Sequence, residues 1–121
     1  MIEQLVGFPD NVVAFLCTSR VTKADYDTVL VPVVAGALRK HRKVRLYYET
    51  GANFAGLDIG AAWEDFKVGI KSITHLDRVA VVTDVEWIKH AVHFFSFPIP
   101  GMTKLFSQSE AALAREWIVA N

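Results

Sequence analysis

The sequence predicts an α/β domain with a mixed, mostly parallel five-stranded sheet flanked by about four helices. Two observations predict this fold. Strand-like and helix-like hydrophobic periods alternate along the chain in the order ββαβαβαβα. The run at 78–83 is nearly continuously apolar, as in a strand covered on both faces. Alternating strands and helices imply parallel strands joined by right-handed crossovers, and a length of 121 residues is typical of a single domain, here spanning 1–121.

The first two strands are predicted at 5–8 and 12–18, two apolar runs on either side of Pro9 and Asp10. Proline favours the second position of a type I turn, and so short a connection makes the two strands an antiparallel hairpin. Three further strands are predicted along the chain, at 43–49, 78–83 and 102–106.

Three of the predicted helices begin at a capping box, in which a hydroxyl residue is followed three positions later by a carboxylate. These boxes are Thr22–Asp25, Thr83–Glu86 and Ser107–Glu110. The first helix is predicted to end near His41, with a kink at Pro32, because proline cannot donate a helical hydrogen bond. Two apolar stripes at helical spacing are predicted to face the core, Trp63, Phe66, Ile70 and Ile73 in one helix and Leu113, Ala114, Trp117 and Ile118 in the last.

The composition limits the classes of function. Lys and Arg number 13, Asp and Glu number 13, and the formal net charge is zero, so no global charge draws the chain to nucleic acid or an anionic membrane. Cys17 is the only cysteine, which precludes an intrachain disulfide. The start lacks the basic region of a signal peptide, and no apolar stretch reaches the roughly 20 residues of a membrane helix. We therefore expect a cytoplasmic protein without a cofactor.

Three ordered motifs carry a family resemblance. They are Trp63-Glu64-Asp65-Phe66, then the run 78–84 followed by Trp87, and lastly Phe106, a polar cap, Glu110-Ala111-Ala112 and Trp117-Ile118. In this order they resemble the SpoIIAA-like family, small bacterial proteins grouped with STAS domains and, more distantly, with CRAL-TRIO lipid-binding domains. The resemblance covers nearly the whole chain and implies a mixed sheet flanked by helices.

The resemblance also raises the question of a phosphorylation switch. STAS domains of the anti-sigma-antagonist kind are phosphorylated on a Ser at the start of the helix after the third strand, and the added charge controls docking of a partner. The matching region here, 50–61, contains no Ser, and its only hydroxyl group belongs to Thr50 at the strand end. The phosphorylation switch is therefore not carried over to this chain.

Two candidate ligand sites follow from residue type and spacing. The loop with Gly51, Gly56 and Gly60 lies between a strand and a helix, where backbone N–H groups can bind an anion. The alternative is a turn in which glycine supplies a positive φ angle. Glu86, His90 and His93 share one helix face and are weak candidates for a zinc site, since they do not form a named metal motif.

The segment Phe94–Met102 is apolar and aromatic, and it includes Phe95 and Phe97. A surface this apolar is expected to be covered, which leaves three explanations: closure of the core, an interface with a second copy or another protein, or the wall of a pocket. A pocket for a lipid-like ligand would be lined by aromatic side chains, with Trp63, Phe66, Trp87, Phe94 and Phe95 as its predicted walls.

The run Arg39–Lys43 is the densest group of cations, and at a helix end it is expected to offset the negative end of the helix dipole rather than to bind nucleic acid. The sequence shows no nucleophile–base pair. It therefore predicts a non-enzymatic binding or interaction module, expected to form a homo-oligomer such as a dimer or to bind a protein partner. A carrier of an apolar small ligand is the alternative, and a small metal-dependent hydrolase comes behind it.

Overall fold

The computed structural model describes residues 1–57, 76–86, 88–89 and 102–120. Within these residues seven strands are present: β1 (Ile2–Gln4), β2 (Val12–Cys17), β3 (Arg20–Val21), β4 (Val44–Thr50), β5 (Gly56–Leu57), β6 (Leu76–Val82) and β7 (Met102–Phe106). The helical segments are α1 (Lys23–Asp25), a π-helix (Tyr26–Leu30), α2 (Val31–Lys40), a 3₁₀-helix (Gln108–Glu110) and α3 (Ala111–Val119).

Five strands form the main sheet in the order β1-β2-β4-β6-β7. β1 pairs antiparallel with β2, and the pairs β2–β4, β4–β6 and β6–β7 are parallel. The predicted mixed, mostly parallel sheet is therefore confirmed. The strands predicted at 12–18, 43–49, 78–83 and 102–106 are present within two residues of those bounds.

The first strand lies earlier than predicted. The sequence places it at 5–8, whereas β1 covers Ile2–Gln4. The Leu5 N–H still donates to the Ala14 carbonyl at 2.8 Å, but Gly7 then takes a φ of 92°, which ends the extended conformation. The turn closes through the Val12 N–H and the Pro9 carbonyl at 2.9 Å, so Pro9 occupies the first turn position rather than the second.

The segment before α2 is partly π-helical. Its start has the predicted capping box, since the Thr22 N–H donates to Asp25 Oδ2 at 2.8 Å and the Asp25 N–H to Thr22 Oγ1 at 3.3 Å. The sequence predicts a kink at Pro32, and the structure has a π-helical turn just before this residue. There the Val31 N–H donates to the Tyr26 carbonyl, five residues back. Proline has no N–H, so the helical hydrogen bonding must change register or break at this point.

The sheet is packed on both faces. On one face α2 covers the larger core cluster, in which Phe15, Val34 and Val44 are fully buried. On the other face α3 covers a smaller cluster, with Ala114 and Ile118 fully buried beside Tyr47 of β4. Neighbouring residues of β6 point to opposite faces, with Val79 and Val81 in the larger cluster and Ala80 and Val82 in the smaller one, which is why its apolar run is nearly continuous.

Two of the predicted helices cannot be compared with the structure in full. The helix predicted around 63–73 lies outside the described residues. Of the helix predicted from Thr83, residues 83–86, 88 and 89 are described, and Glu86, Ile88 and Lys89 among them are helical. In α3 one prediction is wrong: Leu113 was assigned to the core stripe but is 54% exposed. Ala114 and Ile118, four residues apart, form the buried line, and Leu113 lies to one side of it.

Candidate functional site

The carboxyl edge of the parallel strands is the part of an open α/β sheet where ligands usually bind. Here the ends of β4 and β6 carry Thr50 and Thr83, and both side chains are fully buried. The Thr50 hydroxyl donates to Thr83 Oγ1 at 2.8 Å, and Thr83 Oγ1 also accepts the Val85 N–H at 3.1 Å. The two hydroxyl groups therefore join the two central strands and the start of the helix that follows β6.

The start of α3 is tied to the same edge. The Gln108 side-chain amide donates to the Thr50 carbonyl at 2.5 Å, and the Gln108 N–H donates to Asp84 Oδ1 at 3.0 Å. The predicted capping box of Ser107 and Glu110 is present. Backbone and side-chain donors of Ser107 hold the pKa of the Glu110 carboxyl below its usual value. The polar groups at the start of α3 therefore make hydrogen bonds within the fold.

The loops that follow β2 and β4 are joined to each other. The Gly51 N–H donates to the Cys17 carbonyl at 2.8 Å, the Ala55 N–H donates to the Ser19 carbonyl at 2.7 Å, and β3 and β5 then pair in parallel. A Cβ atom on Gly51 would lie 3.2 Å from Thr18 Cγ2, so glycine permits this close approach. Segments of two residues have no hydrophobic period, which is why the sequence did not reveal β3 and β5.

The glycine loop predicted as an anion site is only partly described. The Gly51 N–H is already bonded, and Gly56 lies in β5 with a φ of 141°, a conformation suited to glycine. Gly60 lies outside the described residues. The positive φ expected of a turn glycine is therefore present at Gly56 but not at Gly51, and anion binding at the following helix stays a prediction.

Three polar side chains lie together where the π-helix begins. The hydroxyl oxygens of Tyr26 and Tyr48 lie 3.0 Å apart, and the Tyr48 hydroxyl is near enough to the Cys17 thiol to lower its pKa against the larger effect of burial. Burial raises the pKa of Cys17 to about 11 and that of Tyr26 to about 12. At neutral pH the Cys17 thiol is therefore protonated, and its side chain is fully buried as the sequence predicts.

At the amino edge of the sheet two arginines bind the end of α3. Arg45 Nη1 donates to the Ile118 and Ala120 carbonyls at 2.9 and 2.6 Å. Arg78 Nη1 donates to the Trp117 and Ala120 carbonyls, each at 2.8 Å, and its guanidinium lies 5.3 Å from the Trp117 ring centroid. The free carbonyls at the helix C-terminus thus receive cationic donors. The partners are more than 30 residues apart in sequence, so no local pattern could reveal them.

Most of the predicted site residues lie outside the described residues, namely Trp63, Phe66, Trp87, Phe94, Phe95, Phe97, His90 and His93. Of the aromatic segment, Met102 is described as the first residue of β7. Of the metal candidates, Glu86 is described. Its side chain is 79% exposed, and its Oε1 atom lies 3.6 Å from Lys89 Nζ. Within the described part of the chain no three His, Cys, Asp or Glu side chains are grouped as metal ligands. Metal binding and the pocket walls stay predictions.

Comparison with known proteins gives the family. A family model described as SpoIIAA-like matches residues 12–119. The chain belongs to the SpoIIAA-like family. A similar solved structure is that of an uncharacterized protein of the DUF3478 family from Shewanella loihica PV-4, described as having a SpoIIAA-like fold. It is 25% identical, the match covers 97% of this chain and 93% of that one, and the TM-score is 0.68. No curated protein matches the sequence.

The family and the mixed α/β fold are therefore confirmed, whereas the relation of this SpoIIAA-like chain to CRAL-TRIO domains stays a prediction. The structure adds a physical reason not to expect a phosphorylation switch at Thr50, because its hydroxyl group is fully buried and bonded to Thr83. Among the helices of the described residues, none is long and apolar enough to cross a membrane.

Proposed function

We propose that this SpoIIAA-like chain is a non-enzymatic binding or interaction module that meets a second copy or another protein through Phe94–Met102. The observation that carries the proposal is the position of β7. This strand begins at Met102, where the apolar segment ends, and the strand order places it at one side of the five-stranded sheet. A partner can therefore approach the segment without separating any pair of strands in the described sheet.

The chemistry of an edge strand favours such contacts. A strand at the side of a sheet has one row of backbone N–H and C=O groups that pair with no neighbouring strand. Phe and Met side chains are enriched at the centres of protein interfaces, and Phe94–Met102 is rich in Phe. The segment Phe94–Met102 would supply apolar area to a protein partner, and the edge strand β7 would supply backbone hydrogen-bonding groups.

The polar groups of the carboxyl edge support a role without catalysis. Thr50, Thr83 and Gln108 bond to one another or to backbone groups of the fold. The Cys17 thiol is fully buried and its pKa is raised to about 11. A nucleophile must be exposed and activated, and these described groups are neither.

The proposal is tested by size-exclusion chromatography with light scattering, from low to high micromolar concentration. We expect the mass of the wild type to rise with concentration and Phe97→Asp to remain monomeric, because an interface centre does not accept an unpaired charge. Val6→Asp is the matched control, since Val6 is 90% exposed and follows β1 at the opposite edge of the sheet. A wild type that stays monomeric throughout, with Phe97→Asp indistinguishable from it, would remove self-association through this segment.

The carrier hypothesis makes a different prediction for the same preparation. Native mass spectrometry of freshly purified protein should show an adduct that denaturation releases. A mass equal to that of the chain alone, with no thermal shift across a panel of fatty acids and lipids, would leave the interaction module as the supported function.

A further inference from the structure

The connection between α2 and β4 is strongly cationic. Arg39, Lys40, Arg42 and Lys43, here called the cationic turn, are all exposed, with His41 between them. α2 ends at Lys40, and His41 is extended with a φ of −131°. Between Asp27 and Glu49 the sequence has no acidic residue. The turn therefore concentrates positive charge at the amino edge of the sheet.

The helix dipole explains only part of this charge. Arg39 and Lys40 lie in the last turn of α2, where cations interact favourably with the free carbonyl groups. The effect falls off beyond the last turn, and the His41 N–H already donates to the Ala37 carbonyl at 3.0 Å. Arg42 and Lys43 lie beyond the helix, so helix capping gives no reason for their charges.

Other cations at the same edge have partners within the fold. Arg45 and Arg78 bind carbonyl groups at the end of α3, and Arg45 Nε lies 3.2 Å from Asp77 Oδ2. By contrast, within the described residues no ion pair includes a side chain of the cationic turn. The carboxylate of Asp77 is occupied by Arg45, and the charges of the turn are left facing water.

The charge of the turn is local. Asp77 at the same edge pairs with Arg45, and Asp10, before β2, is exposed there as well. Since the formal net charge of the chain is zero, the positive charge of the turn is balanced by groups elsewhere in the molecule. A local patch of one sign of charge attracts a partner of opposite charge and speeds its association.

We propose that the cationic turn is a docking surface for an acidic segment of a partner protein. Nucleic-acid binding is less well supported, because the chain as a whole is neutral and the turn contains no aromatic side chain on which a base could stack. A membrane surface is also less well supported, because the flanking Val44 is buried and the turn has no apolar side chain to insert into a bilayer. Closely spaced carboxylates on a protein segment match four exposed cations within five residues.

The test measures binding of a fluorescent oligoglutamate peptide to the full chain by anisotropy. We expect binding at low salt that weakens as salt is raised through the physiological range, because exposed charges are screened over about 8–10 Å. The double variant Arg42→Glu with Lys43→Glu should bind about tenfold more weakly or worse, since several surface charge pairs become repulsive. Arg42→Gln with Lys43→Gln should show a smaller loss. The matched control is Lys89→Glu with Lys104→Glu, which changes the net charge equally but lies elsewhere.

Several outcomes would overturn the proposal. These are no binding of the peptide at low salt, equal losses in the two charge-reversal variants, or tighter binding to a double-stranded oligonucleotide or to phosphatidylglycerol vesicles than to the peptide. Thermal unfolding followed by circular dichroism checks that each variant is folded. Phe97→Asp should keep full peptide binding, so failure of this proposal and failure of the interface at Phe94–Met102 are distinguishable.

Discussion

The buried hydroxyl pair of Thr50 and Thr83 predicts an unequal response to two chemically identical substitutions. Thr50→Val removes one donor and leaves Thr83 Oγ1 still accepting the Val85 N–H. Thr83→Val removes the oxygen that accepts from two donors, the Thr50 hydroxyl and the Val85 N–H. The Thr50 side chain is fully buried, so its hydroxyl cannot turn to water instead. Valine has nearly the shape of threonine, so packing changes little and hydrogen bonding decides the result.

The expected costs follow from this bookkeeping. An ordinary hydrogen bond contributes about 1 kcal/mol net, which is the loss expected for Thr50→Val. Leaving a buried donor without an acceptor costs about 1–3 kcal/mol, and Thr83→Val also deprives the Val85 N–H, so we expect about 2–3 kcal/mol. The double variant removes the Thr50 hydroxyl and with it the stranded donor. It should therefore be no less stable than Thr83→Val alone, with a coupling of about 1 kcal/mol.

Urea denaturation of the four proteins measures these differences, provided that the m-value stays constant. Thermal unfolding gives a second readout, with a Tm shift of about 4 °C per kcal/mol for a domain of this size. Two results would refute the reasoning: equal losses for the two single substitutions, or losses that add in the double variant within about 0.3 kcal/mol.

Two further predictions concern the core and the end of α3. Cys17 should react with a thiol reagent only when the protein unfolds, because its side chain is fully buried. Its pKa in the folded protein is raised to about 11. Its contribution to the free energy of unfolding is therefore complete below about pH 8.5 and is lost as the pH rises toward 11. Cys17→Ala should remove that part of the alkaline decline in urea stability, and rapid labelling of the native protein would contradict the buried thiol. Arg78→Ala should lower the free energy of unfolding by about 1–2 kcal/mol, because two carbonyl groups lose a cationic donor. Lys104→Ala is its control, since Lys104 contacts the same Trp117 ring without bonding those carbonyls, and equal losses would show that the carbonyl bonds contribute little.

Much of the framework was readable from local patterns. The apolar run at 78–83 predicted β6, the alternation at 43–49 predicted β4, and two capping boxes appear as the sequence indicates. These features depend on residues within one or two turns of each other, so their physical cause is present in a short stretch of sequence. The bounds of β1 were wrong because 5–8 is the more apolar stretch, and only pairing with β2 selects 2–4.

The candidate site depends on contacts that a local pattern does not contain. The bond between Thr50 and Thr83 joins residues 33 positions apart, and the bond from Gln108 to Thr50 spans 58 positions. Likewise, the sequence marks the cationic run at Arg39–Lys43, but only the fold distinguishes its exposed cations from Arg45 and Arg78, which bind the end of α3.

By itself, the sequence determined the family, the mixed α/β class and four of the five strands of the main sheet, because hydrophobic period and helix capping are local properties. The tertiary structure decided which strand ends meet, which hydroxyl groups are buried together and which cations remain exposed. Those outcomes follow from the register and order of strands that are distant in the chain, which no local sequence pattern contains.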